Sequence, residues 1–455
     1  MTKTLVRSAI AGVLLLAPLS GQLFAQETLD LAAFINLVES YSRDLEQART
    51  DRSLAATQER AVRSQLFPSV GAQVGYARNL LEIEQSVPAF AEGNGSGPYP
   101  IRYRDVTVSK DNDFSLGISL EQNIFNMSVF RGLEVSRQFT SFTGRVYETA
   151  HQEIITAAKQ LFFQTLLLQE VLRVRESSEE IAQENYRDAL RRYETGVASR
   201  LEALQAEVNW KMTQPNTTQA RRNLQIALEH LKNMAGLPRD RELSIEGTLE
   251  TYPDFPDTGP AWENPALRPD FQMLLSKKRM QELNVEAQRA AYYPNVTASV
   301  NYGGRASSDG FSGFSSDDWT DTFTLGLTLA VPIYYGGSRP AAVRQAQLEL
   351  TKTQIEISQR ESDISTELQN IRLTLQEAQE RIESARQTMA TAEEAFEVTE
   401  NFLENGMATQ LDLKDARVSL EQARLSYFSA VFDYLNAYFS WQRATGRGSE
   451  IDPFL

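Results

Sequence analysis

The chain has 455 residues, no cysteine, and 60 acidic against 45 basic side chains, for a formal charge of −15. Without Cys there is no disulfide framework, thiolate metal site or lipid-acceptor residue, and the acidity argues against nucleic acid or a polybasic membrane contact. His151 and His230 are the only histidines, and neither sits in a metal-ligand spacing; with no G-x-S-x-G, P-loop or clustered-carboxylate site, no enzyme, cofactor or metal is assigned.

Residues 1–25 read as a secretory signal, with Lys3 and Arg7 as the basic region, an apolar stretch over 10–19 and Ala25 before the cut. That stretch is broken by Gly12 and Pro18 and falls short of the ~20 residues a spanning helix needs. Its removal takes the charge from −15 to −17. Residues 29–66 have helical composition and stop at Phe67-Pro68. Val70-Gly71-Ala72-Gln73-Val74-Gly75-Tyr76 then alternates apolar with small or polar residues, as a strand does. A loop over 83–110 follows, containing Gly93-Asn94-Gly95-Ser96-Gly97-Pro98. No helix starts behind these glycines, so an exterior loop between barrel strands fits better than a phosphate cradle.

Phe114-Ser115-Leu116-Gly117-Ile118-Ser119-Leu120 is the second strand, and Gln122-Asn123-Ile124-Phe125-Asn126 leads into a helix over 128–192. Thr195-Gly196-Val197-Ala198-Ser199 breaks that helix, and a return helix runs to Met234-Ala235-Gly236, with Pro215 placed to kink it. Residues 237–265 hold five of the sixteen prolines and read as an irregular connector. The plan then repeats: a helix over 267–293 ending at Pro294, strands at 296–302 and 323–329 flanking a shorter loop with Gly310-Phe311-Ser312-Gly313, a helix over 338–402, a break at Asn405-Gly406-Met407-Ala408-Thr409, and a return helix ending at Thr445-Gly446. Gly196/Gly406 and Gly236/Gly446 are each 210 apart, and Pro68/Pro294 and Tyr76/Tyr302 are each 226 apart, so the halves are a duplication.

Between Ile364 and Phe396 the apolar positions 364, 368, 371, 375, 378, 382, 385, 389, 392 and 396 keep a 4-3-4-3 spacing, the seam of a coiled coil. The shorter helices match the long ones when stacked in pairs, 29–66 with 199–235 and 267–293 with 409–445. Four strands with one apolar face have the pattern of an outer-membrane barrel, yet about eight is the smallest number that closes one. The chain is therefore expected to oligomerise. Phe67, Phe125, Tyr292, Tyr293, Tyr334 and Tyr335 fall at the helix-side strand ends and Trp319 at the opposite end, as an interfacial girdle does. Met127, Met234, Met389 and Met407 are scattered, as packing residues are.

These features together resemble the TolC-type outer-membrane efflux channel family. The matches are Leu66-Phe67-Pro68-Ser69-Val70, Gln122-Asn123-Ile124-Phe125-Asn126-Met127-Ser128, Val331-Pro332-Ile333-Tyr334-Tyr335-Gly336-Gly337, and the paired turns at Gly196 and Gly406, across about 27–446. The resemblance implies an α+β membrane protein: a homotrimer with a twelve-stranded barrel in outer-membrane lipid, continued by a periplasmic helical barrel. It implies an exit channel of a tripartite efflux or type I secretion system, working with a periplasmic adaptor and an inner-membrane transporter. The units are then a signal peptide at 1–25, repeat one at 26–236, the connector at 237–265, repeat two at 266–446 and a tail at 447–455. The rival reading is a secreted periplasmic coiled-coil adaptor or structural interaction protein, which leaves four apolar strand faces without a partner.

The resemblance also places residues. Gly196-Val197-Ala198-Ser199 and Gly406-Met407-Ala408-Thr409 match the adaptor-docking tip. Asp412 and Asp415 match an acidic ring at the tunnel entrance, and Glu202 is its counterpart in repeat one. If six such carboxylates face a lumen, their pKa values are expected to rise, with Lys414 and Arg417 near enough to neutralise part of the charge. The tyrosine and arginine positions that latch the family's closed gate hold Leu403 and Ala408 here. Closure then rests on apolar packing of Leu403 and Met407, or on ion pairs from Arg192 or Arg200.

Overall fold

The computed structural model describes residues 27–90, 101–256, 264–310 and 319–451. The signal segment, the glycine string at 93–98 and Phe311-Ser312-Gly313 lie outside them. The first half runs β1 (Glu27–Leu29), α1 (Leu31–Tyr41), α2 (Arg43–Ser64), β2 (Ser69–Arg78), β3 (Glu84–Phe90), β4 (Ile101–Thr107), β5 (Asn112–Asn126), α3 (Met127–Glu194) and α4 (Arg200–Met234). The second runs β6 (Leu243–Ile245), a 3-10 turn (Pro265–Leu267), α5 (Pro269–Ala290), β7 (Asn295–Ser308), β8 (Trp319–Ala330), α6 (Ser338–Glu404) and α7 (Gln410–Ala444). Among the described residues no helix is long and apolar enough to cross a membrane.

The expected strands β2, β5, β7 and β8 form one antiparallel sheet in that order, so the two repeats share it. The amides of Gln122 and Asn123 explain the motif after β5: they donate to the carbonyls of Leu66 (3.0 Å) and Gln65 (3.2 Å), clamping the α2-to-β2 junction. Asn126 then caps α3, accepting from the Ser128 and Val129 amides. At 68 residues, α3 is about 100 Å long at 1.5 Å per residue. It and α6 (67 residues) are the two shafts. All ten predicted seam positions of α6 are buried or half-buried, and Leu375 and Ile382 join a core with Phe34, Val38, Phe162 and Phe439 midway along the shafts. α4 runs unbroken through Pro215.

Two expectations need correction. The segment 29–66 is not one helix. Leu29 belongs to β1 (Glu27–Leu29), which pairs in parallel with β6, and the helix breaks at Ser42 and restarts as α2. The loop over 83–110 is not all loop, because β3 and β4 form a further antiparallel hairpin. Pro88 hides β3 from a sequence reading, and the strand tolerates it because, among the described residues, β3 pairs only on its β4 side.

The break at Ser42 has a counterpart. α4 ends in Gly236, packed so tightly on the Tyr41 carbonyl that a Cβ would sit 2.6 Å from its oxygen. α7 ends in Gly446, where a Cβ would sit 2.3 Å from the Leu267 carbonyl oxygen. Tyr41 and Leu267 are 226 apart, the same offset as Pro68 and Pro294. Each return helix thus ends against the joint between the helices stacked above it.

A buried ion network pins the second joint. Arg268, 3% exposed, donates to Asp270 (3.0 and 3.1 Å), to Glu367 (3.0 Å) and to the Ala444 carbonyl at the end of α7 (3.1 Å). Arg360 also binds Asp270, and Arg443 binds Glu367. Burial alone would raise the Asp270 pKa, but its hydrogen bonds and charge contacts with Arg268 and Arg360 outweigh this and hold it at about 2. A depressed carboxylate stabilises the fold above its unfolded pKa and loses that contribution as pH falls through the folded value. Asp270→Asn is therefore expected to cost about 2 kcal/mol at neutral pH and to flatten the loss of stability between about pH 4 and pH 2. Thermal unfolding followed by helical signal across that range checks it; an unchanged acid limb would place the stabilisation elsewhere.

Candidate functional site

The two long helices reverse at one end of the molecule through the same device. After α3 the Gly196 amide donates to the Tyr193 carbonyl (3.0 Å) and the Val197 amide to that of Arg192 (2.8 Å); after α6 Gly406 donates to Leu403 (3.0 Å) and Met407 to Phe402 (2.8 Å). This is the glycine-centred Schellman cap, which needs a left-handed residue, and Gly196 (φ 78°) and Gly406 (φ 73°) supply it. Nothing lies within 4 Å of where either Cβ would stand, so glycine serves the turn rather than packing inside the chain. Val197 and Met407 are 71% and 66% exposed at the apices. Ser199 and Thr409 then cap the return helices, accepting from the amides of Glu202 and Asp412 (both 3.2 Å). A hydrogen bond from Gln410 to Asn185 (3.0 Å) ties the start of α7 to α3.

The acidic residues divide. Asp412 completes a capping box: its carboxylate accepts from the Thr409 hydroxyl (2.6 Å) and amide (2.8 Å). These bonds, the hydroxyl's first, lower its pKa within the chain, opposite to the expected direction. Asp415 is exposed beside Lys414 (3.4 Å). Arg417 does not neutralise the pair. It is buried and donates to the Ser178 carbonyl (3.1 Å) and hydroxyl (2.5 Å) on α3, where burial lowers its pKa. Leu403 packs against the cluster of Phe396, Leu413 and Leu420, while Met407 is exposed at the apex. Among the described residues neither Arg192 nor Arg200 forms an ion pair.

Near the turns, the carboxylate whose pKa is raised within the single chain is Glu400. It lines a cleft of about 730 Å³ between α3, α6 and α7 with Glu184, Glu404 and Arg191. The side chain is exposed, yet partial desolvation in the cleft raises its pKa first, followed by repulsion from Glu404 and Glu397 on α6 and from Glu184 on α3. Glu184 belongs to the other repeat, so no spacing rule joins it to Glu400. His151 pairs with Glu39 (3.0 Å), and among the described residues no group of three His, Cys, Asp or Glu could hold a metal ion.

At the other end, the sheet register sorts its faces as the alternation predicts. Val74 lies opposite Leu116, Ile118 opposite Tyr302, Val300 opposite Leu325 and Ala298 opposite Leu327, making one continuous apolar face. Leu325 and Leu327 are 74% and 73% exposed within the chain. The opposite face joins Gly75 to Ser115, Gly117 to Gly303 and Ser299 to Gly326. Tyr292, Tyr293, Tyr334 and Tyr335 stand exposed at the helix-side rim, with the Arg339 guanidinium 3.9 Å from the Tyr335 ring centre.

A family model described as outer membrane efflux protein matches residues 34–237 and 265–447. The chain is 25% identical to outer membrane protein TolC of Escherichia coli over 331 residues, 69% of this chain and 62% of that protein. It is 23% identical to the alkaline protease secretion protein AprF of Pseudomonas aeruginosa over 240 residues, 52% of this chain and 49% of that one. The chain thus spans about 62% of the length of the TolC proteins it matches. Among solved structures, the Campylobacter jejuni CmeC outer membrane channel superposes with a TM-score of 0.73 at 18% identity, covering 93% of this chain and 87% of that one. The open-state Neisseria gonorrhoeae MtrE outer membrane channel gives 0.71 at 18% identity, covering 92% and 89%. At such identities the likeness bears on fold.

The glycines make a test of this geometry. Gly406→Ala is expected to cost about 1–2 kcal/mol, the penalty of left-handed backbone alone, since its Cβ meets nothing. Gly446→Ala carries the same backbone penalty (φ 81°) plus the collision with Leu267, so it should be clearly the worse of the two. Chemical denaturation of both variants checks the order; equal losses would contradict the tight joint.

Proposed function

The chain belongs to the outer membrane efflux protein family, and on that footing we propose that it is the outer-membrane exit channel of a tripartite efflux or type I secretion system. Three copies close one twelve-stranded barrel in the outer membrane and one helical barrel in the periplasm. Substrates pass from the periplasm and an inner-membrane pump to the exterior through a conduit without catalytic residues. The observation that carries this reading is that every level of the chain ends in the same two free edges. The strands run β2-β5-β7-β8. The helices beside them pack in the order α2-α3-α5-α6, and those towards the turns in the order α4-α3-α7-α6. One flank is therefore β2, α2 and α4, and the other is β8 and α6.

Both flanks carry unpartnered apolar side chains, among them Leu201, Leu204 and Val208 on α4 and Leu348 and Ile355 on α6. Packing one flank on the next satisfies strand and helix edges together. A secreted adaptor would leave the apolar sheet face in water. The exposed turns at Gly196 and Gly406 form the tip that an adaptor grips. The acidic side chains of Glu202, Asp412 and Asp415, brought together threefold, favour cations at the entrance.

Leu325→Arg tests the barrel: a charge on the lipid face costs about 2–4 kcal/mol per chain at the midplane, so insertion and oligomer yield should collapse. Normal assembly of that variant would reverse the face assignment. Asp412→Asn combined with Asp415→Asn tests the entrance, because Asn keeps an oxygen for the Thr409 cap. Single-channel recordings should show reduced cation selectivity and weaker block by multivalent cations; unchanged values would remove the acidic ring.

A further inference from the structure

Within one chain several side chains tie down the outer end of the sheet. Tyr76 donates to Asn112 (2.9 Å), Asn79 to Asp113 (2.9 Å), and Lys110 pairs with Asp309 (2.6 Å). Arg78 and Asp321 are exposed, and among the described residues neither has an ion-pair partner. Arg78 ends the free strand β2 and Asp321 stands near the start of the free strand β8, both on the apolar face. They carry opposite charges on the two flanks that the trimeric reading brings together, so a bond between them rests on that reading.

The seam register is tightly constrained. Apolar positions of β2 must meet apolar positions of β8, so the register changes only in steps of two. Across one chain the ladder carries Val74 to Leu116, then Gly304, then Asp321. Placing Arg78 opposite the next copy's Asp321 thus staggers each chain by four residues, and it also levels the helix-side ends, Ser69 against Ala330. A strand tilt of about 35–45° in a twelve-stranded barrel needs a stagger of about four to six residues per chain. At six the pair becomes a diagonal neighbour, still within reach of a long side chain.

Just beyond Arg78, Leu80 and Leu81 are 87% and 84% exposed in an irregular stretch whose ends are fixed, Asn79 donating to the Asp111 carbonyl (2.8 Å) and the Ile83 amide to the Ser109 hydroxyl (2.7 Å). A free edge left to solvent is normally blunted with charge or proline, not a leucine pair. At a stagger of four Leu80 falls opposite Trp319, and at six Leu80 and Leu81 fall opposite Asp321 and Thr320, so the leucines run alongside the start of the neighbour's β8. We propose that Arg78 of each copy pairs with Asp321 of the next, under cover of Leu80 and Leu81, and that this clasp locks the outer rim of the seam.

Heating the detergent-extracted oligomer in SDS tests the clasp. Arg78→Asp and Asp321→Arg are each expected to lower the temperature at which trimers fall to monomers by several degrees, and the double exchange to recover most of the loss. Because the chain has no cysteine, Ala77→Cys combined with Thr322→Cys gives a second readout: oxidation should link adjacent copies in far higher yield than Ala77→Cys combined with Thr328→Cys. Parental trimers without recovery in the double exchange would overturn the pair, including the case in which Arg78 holds a lipid phosphate instead. A parental chain that runs as a monomer would remove the trimeric reading itself.

Discussion

Along the outer edges of β2 and β8 runs a row of backbone N–H and C=O groups with no strand partner among the described residues. In hydrocarbon each such group costs several kcal/mol, and a strand cannot satisfy them by itself. An apolar sheet face demands lipid, and lipid in turn demands that the edges close. The four strands meet the first demand and fail the second, so the folded chain is an incomplete object. Helix edges follow the same rule in weaker form: the stripes on α4 and α6 remain exposed until something packs on them.

Duplication explains how one chain presents matching edges at every level. Each repeat contributes a hairpin, a long helix and a return helix, and the repeats lie side by side in one sheet and share one core. The joints near Tyr41 and Leu267 show the economy of the plan, since a glycine at the end of each return helix lets it abut the next helix end-on. The core midway along the shafts and the Arg268 network hold those joints, leaving the turns at Gly196 and Gly406 free of intrachain packing.

Most of this architecture is legible in the sequence because it rests on local periodicities. Period-two alternation gives the four strands, and an unbroken 4-3-4-3 run gives α6. The paired glycines give the turns, because left-handed backbone leaves little other choice. What escaped depends on partners far apart in the chain. β1 is three residues long and forms only because β6 lies beside it. β3 is masked by Pro88. Arg417 reads as a surface charge three residues from Lys414, yet the α3 interface takes it inward to Ser178. The role of Asp412 as a cap is written in Thr409-x-x-Asp412, a local signal that the functional reading of the same carboxylate obscured. Glu400 owes part of its environment to Glu404 and Glu397 one turn away on α6, a local spacing, and a smaller part to Glu184 on the other repeat, which only the fold brings near.

The stoichiometry of the purified, detergent-extracted protein tests the central claim most directly, by native mass spectrometry or sedimentation with the detergent matched out. A single species of three chains is expected, because the open edges leave no folded monomer inserted in the membrane. A stable monomer in the outer membrane that retains the strand content of the four-stranded sheet would contradict it.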